Sequence, residues 1–134
     1  MKAVHFLIIG CIAAFAFILG FATSSPLHAL NPKALPKNPS VVHGEASIKY
    51  HAAKPRLDIH QKENNAIINW DSFNIGRDAH THFDQKGNSD WKVLNKIFDQ
   101  DPSRINGRLT ADGQVFLLND NGIIFGKDSQ VDVH

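Results

Sequence analysis

The sequence predicts an all-β chain, and within that class it favours stacked solenoid coils over a stack of hairpins. Three observations carry this. Short runs rich in β-branched and aromatic residues recur from Val41 onward, separated by turn formers. Leu109, Leu117, Phe125 and Val133 lie eight residues apart, with Asp112-Gly113, Asn121-Gly122 and then Gly126 to Ser129 between successive members. The runs VFLLN and GIIFG are continuously apolar, as buried parallel strands are. An antiparallel strand with one wet face would alternate.

Residues 1–29 read as an apolar signal-peptide helix. Lys2 supplies the charged start, Phe6 to Ala22 an uncharged apolar run, and Thr23 to Pro26 a polar stretch with a helix breaker. Cleavage is expected after Ala29 in PLHA. Ala22 and Ser24 are alternatives, because Leu27 is bulky for a site two residues before the cut. A permanent anchor is the competing reading, but the run is at the low end of a bilayer span and no cationic cluster follows it. IIGC at 8–11 resembles a lipidation box, yet the apolar run continues well past Cys11. Cys11 is the only cysteine, so the mature chain is expected to have no disulfide framework.

Residues 30–40 (LNPKALPKNPS) carry three prolines, which lack an amide donor and fix φ, so an extended lead-in is expected. From 41 to 134 the chain reads as one β domain. RLDIH alternates, with Leu57 and Ile59 on one face. AIINWDSFNIG, GQVFLLN and SQVDVH follow the same strand grammar. DWKVLNKIFD (90–99) could form a helix, since Trp91, Leu94 and Phe98 recur at helical spacing, but strand-forming neighbours favour a strand. Three strand-and-turn units of about eight residues would make one coil of roughly two dozen residues, each coil stacking on the one below.

Composition and motifs exclude several functions. Lys and Arg number 14 against 13 Asp and Glu; removing Lys2 with the signal leaves net charge near zero. No basic stripe invites nucleic acid. His80, His82 and Asp84 in HTHFD would share one strand face, the way a strand presents metal ligands, but with no cysteine or further marked ligand an exposed polar strand face is the favoured reading. Ser72 and Ser129 lack a nucleophile elbow, no carboxylate pair stands out, and GKDS at 126–129 lacks the upstream glycine of a phosphate loop. No catalytic residue, metal or cofactor is therefore assigned. Trp70 and Phe73 could stack on sugars but suit a core better. Asn69, Asn119 and Asn121 read as turn and ladder asparagines.

Two spaced segments carry a resemblance. AIINWDSFNIG (66–76) and INGRLTADGQVFLLNDNGIIFGKDSQVDV (105–133), with PSVVHGEASIKY (39–50) before them, resemble the N-terminal haemagglutination-activity, or secretion, domain of filamentous-haemagglutinin-like exoproteins. These are the exported partners of bacterial two-partner secretion. The resemblance covers most of residues 36–134. It implies a right-handed parallel β-helix with an N-terminal cap, bound in the periplasm by a dedicated outer-membrane transporter that starts export. It also implies a secreted or cell-surface adhesin, haemolysin or toxin as passenger, one that could meet host-cell glycans or receptors. The family's core motif falls on Asn69, Trp70, Phe73, Ile75, Gly76, Gly107, Leu109, Gly113, Val115, Phe116, Phe125 and Gly126. Its asparagine-proline-asparagine-glycine-isoleucine motif falls on Asn119, Asp120, Asn121, Gly122 and Ile123, with Asp120 where the family has proline. A second family motif, asparagine-proline-asparagine-leucine, has no clear match. The chain stops at His134, where the family normally continues, so the domain is expected to be truncated at its C-terminal end. A stand-alone secreted carbohydrate- or surface-binding β domain, and less favourably a polysaccharide-active β-helix enzyme, are the competing readings.

Overall fold

Eleven strands and no helix make up the residues described by the computed structural model, 28–134; the expected signal segment lies outside them up to residue 27. The strands wind through three faces. The first coil is β3 (Arg56–Gln61), β4 (Asn65–Trp70) and an extended segment around Ile75. The second is β5 (His80–Asp84), β6 (Lys92–Ile97) and β7 (Ser103–Ile105). The third is β8 (Arg108–Ala111), β9 (Gln114–Asn119) and β10 (Ile123–Phe125), after which β11 (Gln130–Asp132) returns to the first face. Successive coils pair in parallel: β3–β5–β8–β11 on one face, β4–β6–β9 on the second, and β7–β10 on the third, where Ile75 also bridges Ile105. The result is a β-solenoid of about three turns.

In-register parallel pairing stacks like positions, because paired residues point to the same side of a sheet. Leu57, Thr81, Leu109 and Val131 form one inward column, and Trp70, Ile97 and Asn119 another. Ile75, Ile105 and Phe125 form a third. The fully buried Trp70, Phe73, Phe83, Leu57, Ile59 and Ile68 fill the interior, each contributing roughly 1.5–3 kcal/mol by leaving water. Within 90–99 the strand reading holds. Val93, Asn95 and Ile97 alternate inward, while Phe98 is exposed.

The buried amide side chains inside the coils bond to the backbone or to other side chains, while Thr81 Oγ1 is buried without a hydrogen-bond partner among the described residues. The Gln85 amide donates to Gln61 Oε1 at 3.0 Å, and its own Oε1 accepts the Gly113 amide at 2.6 Å. Gln61 donates to the carbonyls of Glu63 and Lys92, 2.7 and 2.9 Å. Trp70 Nε1–H donates to Asn95 Oδ1 at 2.9 Å, and Asn95 donates onward to the Phe116 carbonyl. Buried amides tolerate burial only when paired in this way.

The end of the solenoid at the first coil is closed. β1 (Ser40–His43) pairs antiparallel with β4, and β2 (Ala46–Tyr50) pairs antiparallel with β3. The proline-bearing lead-in covers the third face: Lys37 bridges Ser72, Gly76 donates to the Ala34 carbonyl, and Asp78 donates to the Pro32 carbonyl. Strand edges that would otherwise offer unpaired amides are thus covered. Beyond the third coil, β9, β10 and β11 are hydrogen-bonded on one side only.

The eight-residue spacing turns out to be one residue per face. Leu109 lies on β8, Leu117 on β9 and Phe125 on β10, with Val133 just past β11. Two aromatic positions of the family's core motif are exposed. Phe116 points outward from β9 and is 49% exposed. Phe125 continues the column of the fully buried Ile105, but no coil covers it and it is 54% exposed.

Candidate functional site

The Asn119–Ile123 motif forms the corner between β9 and β10. The Gly122 amide donates to the Asn119 carbonyl at 3.0 Å, closing a four-residue turn, and Asn119 Oδ1 accepts the Asn121 amide at 2.9 Å. Gly122 adopts φ +98°, a region that an L side chain enters at a cost, and it ends the turn. Asn119 itself is buried and donates to the Asp101 carbonyl and to Ser103 Oγ, 3.2 and 3.0 Å. Asn121 Nδ2 donates to the Asp99 carbonyl at 2.7 Å, and the Ser103 amide donates to the Gly122 carbonyl. The polar groups of Asn119 and Asn121 therefore tie the third coil to the second. Asp120, Asn121 and Gly122 are exposed, while Asn119 is buried.

The same turn occurs at the start of the cap. Asn31 Oδ1 accepts the Lys33 amide at 2.8 Å and the Asn31 carbonyl accepts the Ala34 amide at 2.9 Å, with Pro32 as the first central residue. Asp120 occupies the place of Pro32. Proline presets φ there, and the turn's closing bond uses the amide of Gly122, not that of Asp120. Asp120→Pro is accordingly expected to raise the melting temperature, by about 0.4–1 kcal/mol of stability. Calorimetry of the two proteins measures it; a lower melting temperature would show that the Asp120 amide or side chain carries the corner.

The stacked glycines make a second corner, after Ile75, Ile105 and Phe125. A Cβ on Gly76 would strike the carbonyls of Asn31 and Pro32, on Gly107 those of Gly76 and Ala79, and on Gly126 the side chain of Asn106. A Cβ on Gly113 would meet the Trp91 and Asn88 carbonyls at 2.5 and 2.6 Å. These motif glycines are dictated by space. Trp70 and Phe73 are buried edge-to-face, centroids 5.4 Å apart at 86°, so neither is placed to stack on a ligand. Asn69 lies on the outer side of β4, its Oδ1 buried without a hydrogen-bond partner among the described residues.

On the β3–β5–β8 face, His80, His82 and Asp84 share one side as the alternation expects. Their ring and carboxylate atoms are engaged with protein groups. Arg56 donates to His80 Nδ1 at 3.0 Å, and His80 Nε2 and His82 Nδ1 both lie 2.8 Å from Thr110 Oγ1. Guanidinium has only donors, so the neutral His80 proton sits on Nε2 and is donated to Thr110. His60 pairs with Asp84, and His51 and Arg56 both pair with Asp58 at 2.7 Å. No group of three metal-ligating side chains assembles among the described residues.

Charge on this face sets a pH dependence. Burial, reinforced by the Arg56 and Arg108 charges, lowers the His80 pKa from 6.5 to about 4. Burial pushes the Asp58 carboxyl up, but hydrogen bonds and charge from His51 and Arg56 outweigh it and hold it below the usual range. The Lys86 amide and His60 hold Asp84 low. Between pH 6.5 and about 4 the unfolded chain takes up a proton that folded His80 refuses, so stability falls as pH falls through that window. The two carboxylates add a further fall through the acid range. Melting temperature measured from pH 8 to 4 is expected to decline below about 6.5, and His80→Gln to flatten the upper part of that decline. An unchanged profile in the variant would remove His80 from this account.

The Asn119–Ile123 corner thus belongs to a capped three-faced solenoid whose buried amide side chains bond from coil to coil. Comparison with known proteins narrows that class. A sequence model of the TPS secretion domain matches residues 33–134. Two heme/hemopexin-binding proteins of Haemophilus influenzae are 35% identical over 99 residues and 33% identical over 98. Those matches cover 74% and 73% of this chain but only 11% and 10% of the relatives. The crystal structure of the HMW1 secretion domain from Haemophilus influenzae superposes with a TM-score of 0.65 at 35% identity, covering 72% of this chain and 25% of that one. The chain belongs to the TPS secretion domain family. It spans about a tenth of the length of the curated relatives it matches. Proteins of this family are exported to the cell surface or secreted, and an outer-membrane transporter partner goes with them.

Proposed function

We propose that residues 33–134 form the secretion-recognition head of a large exported exoprotein. An outer-membrane transporter binds the head from the periplasmic side, and the head then nucleates folding of the passenger. Residues 1–29 deliver it to the periplasm as a cleaved signal, and the full-length protein meets host surfaces as an adhesin or haemagglutinin. One observation carries this reading: residues 33–134 match the TPS secretion domain, and the solenoid that they form is closed at its first coil on all three faces. A coil stacked on the third would meet the inward-facing Leu117, Phe125 and Val131, each the last member of its own column on its own face, so each coil templates the next. In this reading Asn119 to Ile123 serve export by shaping a corner on which the fold of the head depends.

The test is capture of the whole chain by the periplasmic domains of its transporter, together with its secretion in the native host. Wild type is expected to be captured and secreted. Replacing both Asn121 and Gly122 by valine is expected to reduce both, through loss of the Asn121–Asp99 tie and strain at positive φ. A wild-type chain that its transporter neither binds nor exports would sink the proposal. Secretion of the double variant at the native rate would remove the motif from it.

A further inference from the structure

The family reading leaves open which surface the transporter touches, and the three outer faces are not alike. On the β3–β5–β8 face, arginine, aspartate, histidine and threonine satisfy one another. The third face has strands only three residues long. At the Asn119–Ile123 corner Asn119 is turned into the coil below, and the amide of the exposed Asn121 is spent on the Asp99 carbonyl. The outer side of the β4–β6–β9 sheet is different. Ile67, Leu94 and Phe116 lie in register across it, and Leu118 follows on β9 beside Lys96. Val42, at the bulge in the capping strand, and Phe98, just past β6, extend the patch. Val42, Phe98, Phe116 and Leu118 are 53%, 68%, 49% and 52% exposed.

Two observations define what fits there. Lys92 and Lys96 stand on the middle strand, flanking Leu94, and no carboxylate forms an ion pair with either among the described residues. A complementary surface therefore presents an apolar centre with carboxylates at its rim. Four large apolar side chains about half exposed make a patch on the order of a few hundred Å². A stable homodimer needs about 800 Å² on each side, so the patch suits a partner that must bind and release.

We propose that the outer face of the β4–β6–β9 sheet is the docking surface for the periplasmic domain of the transporter, which meets it with an apolar groove rimmed by acidic side chains. This rests on the secretion reading above. The face is held in shape by in-register pairing of β4 with β6 and of β6 with β9 along six residues each, and binding costs little ordering.

Amine labelling of the whole wild-type chain, with and without the transporter's periplasmic domains, tests it without mutation. Lys92 and Lys96 are expected to label freely alone and to be protected in the complex, while exposed Lys49 and Lys54 label equally in both. Phe116→Glu and Lys96→Glu are each expected to weaken capture at least about tenfold, and Lys49→Glu to leave it unchanged. If Phe116→Glu fails to fold, the wild-type labelling and Lys96→Glu still decide. Capture of wild type with Lys92 and Lys96 still labelled would overturn the surface and leave the secretion reading standing. No capture of wild type would overturn both. Lys92 and Lys96 already protected without the transporter would place another part of the chain, or a second copy, on this face, and the proposal would fall.

Discussion

Gly107→Ala is expected to destabilise the domain by at least about 3 kcal/mol, a fall in melting temperature on the order of 10–20 °C for a domain of this size. Gly107 ends the second coil's third face, and its amide donates to the Ile75 carbonyl at 3.1 Å. A methyl group there would collide with the carbonyls of Gly76 and Ala79, backbone atoms of the coil below that no rotamer change can move aside. Separating the two coils far enough would break the adjoining bonds, Arg108 to the Ala79 carbonyl and Asn106 to the Ile75 carbonyl. Gly122 supplies the contrast. Nothing lies within 4 Å of a Cβ there, so Gly122→Ala costs only the positive φ, roughly 1 kcal/mol. Thermal unfolding of both variants checks the pair; equal losses would mean that conformation, not close approach, explains the motif glycines.

Trp70→Ala is expected to cost about 4–5 kcal/mol. The side chain is 1% exposed, so the change removes one of the largest buried surfaces and the edge contact with Phe73. It also leaves Asn95 Oδ1 without its donor inside the solenoid, and Asn95 is itself fully buried. Trp70→Phe keeps most of the volume but not the N–H, and is expected to cost about half as much. Denaturant titration of the two variants separates the terms. A phenylalanine variant as weak as the alanine variant would assign most of the loss to the Asn95 bond, and one close to wild type would assign it to packing.

Much of this was legible from the chain alone because a solenoid is nearly one-dimensional. Each residue's role depends on its own coil and the neighbouring ones, so period, turn residues and apolar runs carry most of the information. That is why Leu109, Leu117 and Phe125 could be assigned to successive faces, and why 92–97 read as strand despite a helical spacing. The motif glycines were visible as motif positions, but the reason for Gly76, Gly107 and Gly126 was not. Their requirement comes from carbonyls some thirty or more residues earlier, or from an asparagine side chain. Asn119 was legible as a turn former; its bonds to Asp101 and Ser103, which make it a buried tie, were not.

The sequence by itself determined the β class, the coil-like repeat, the family and the position of the corner turns, because local chemistry sets all of these: proline and glycine fix backbone angles, and apolar runs spaced by turns set strand and coil length. It did not determine burial along those runs, where Phe116, Leu118 and Ile124 are about half exposed. Only the tertiary structure decided which motif residues face solvent. Inward and outward positions on a strand differ by a single residue, and the stacking register settled them: Phe116 outward, Asn119 inward, and Phe125 inward but uncovered. The same register gathered Ile67, Leu94 and Phe116 from three distant segments into one apolar row, an arrangement that no single stretch of the chain contains.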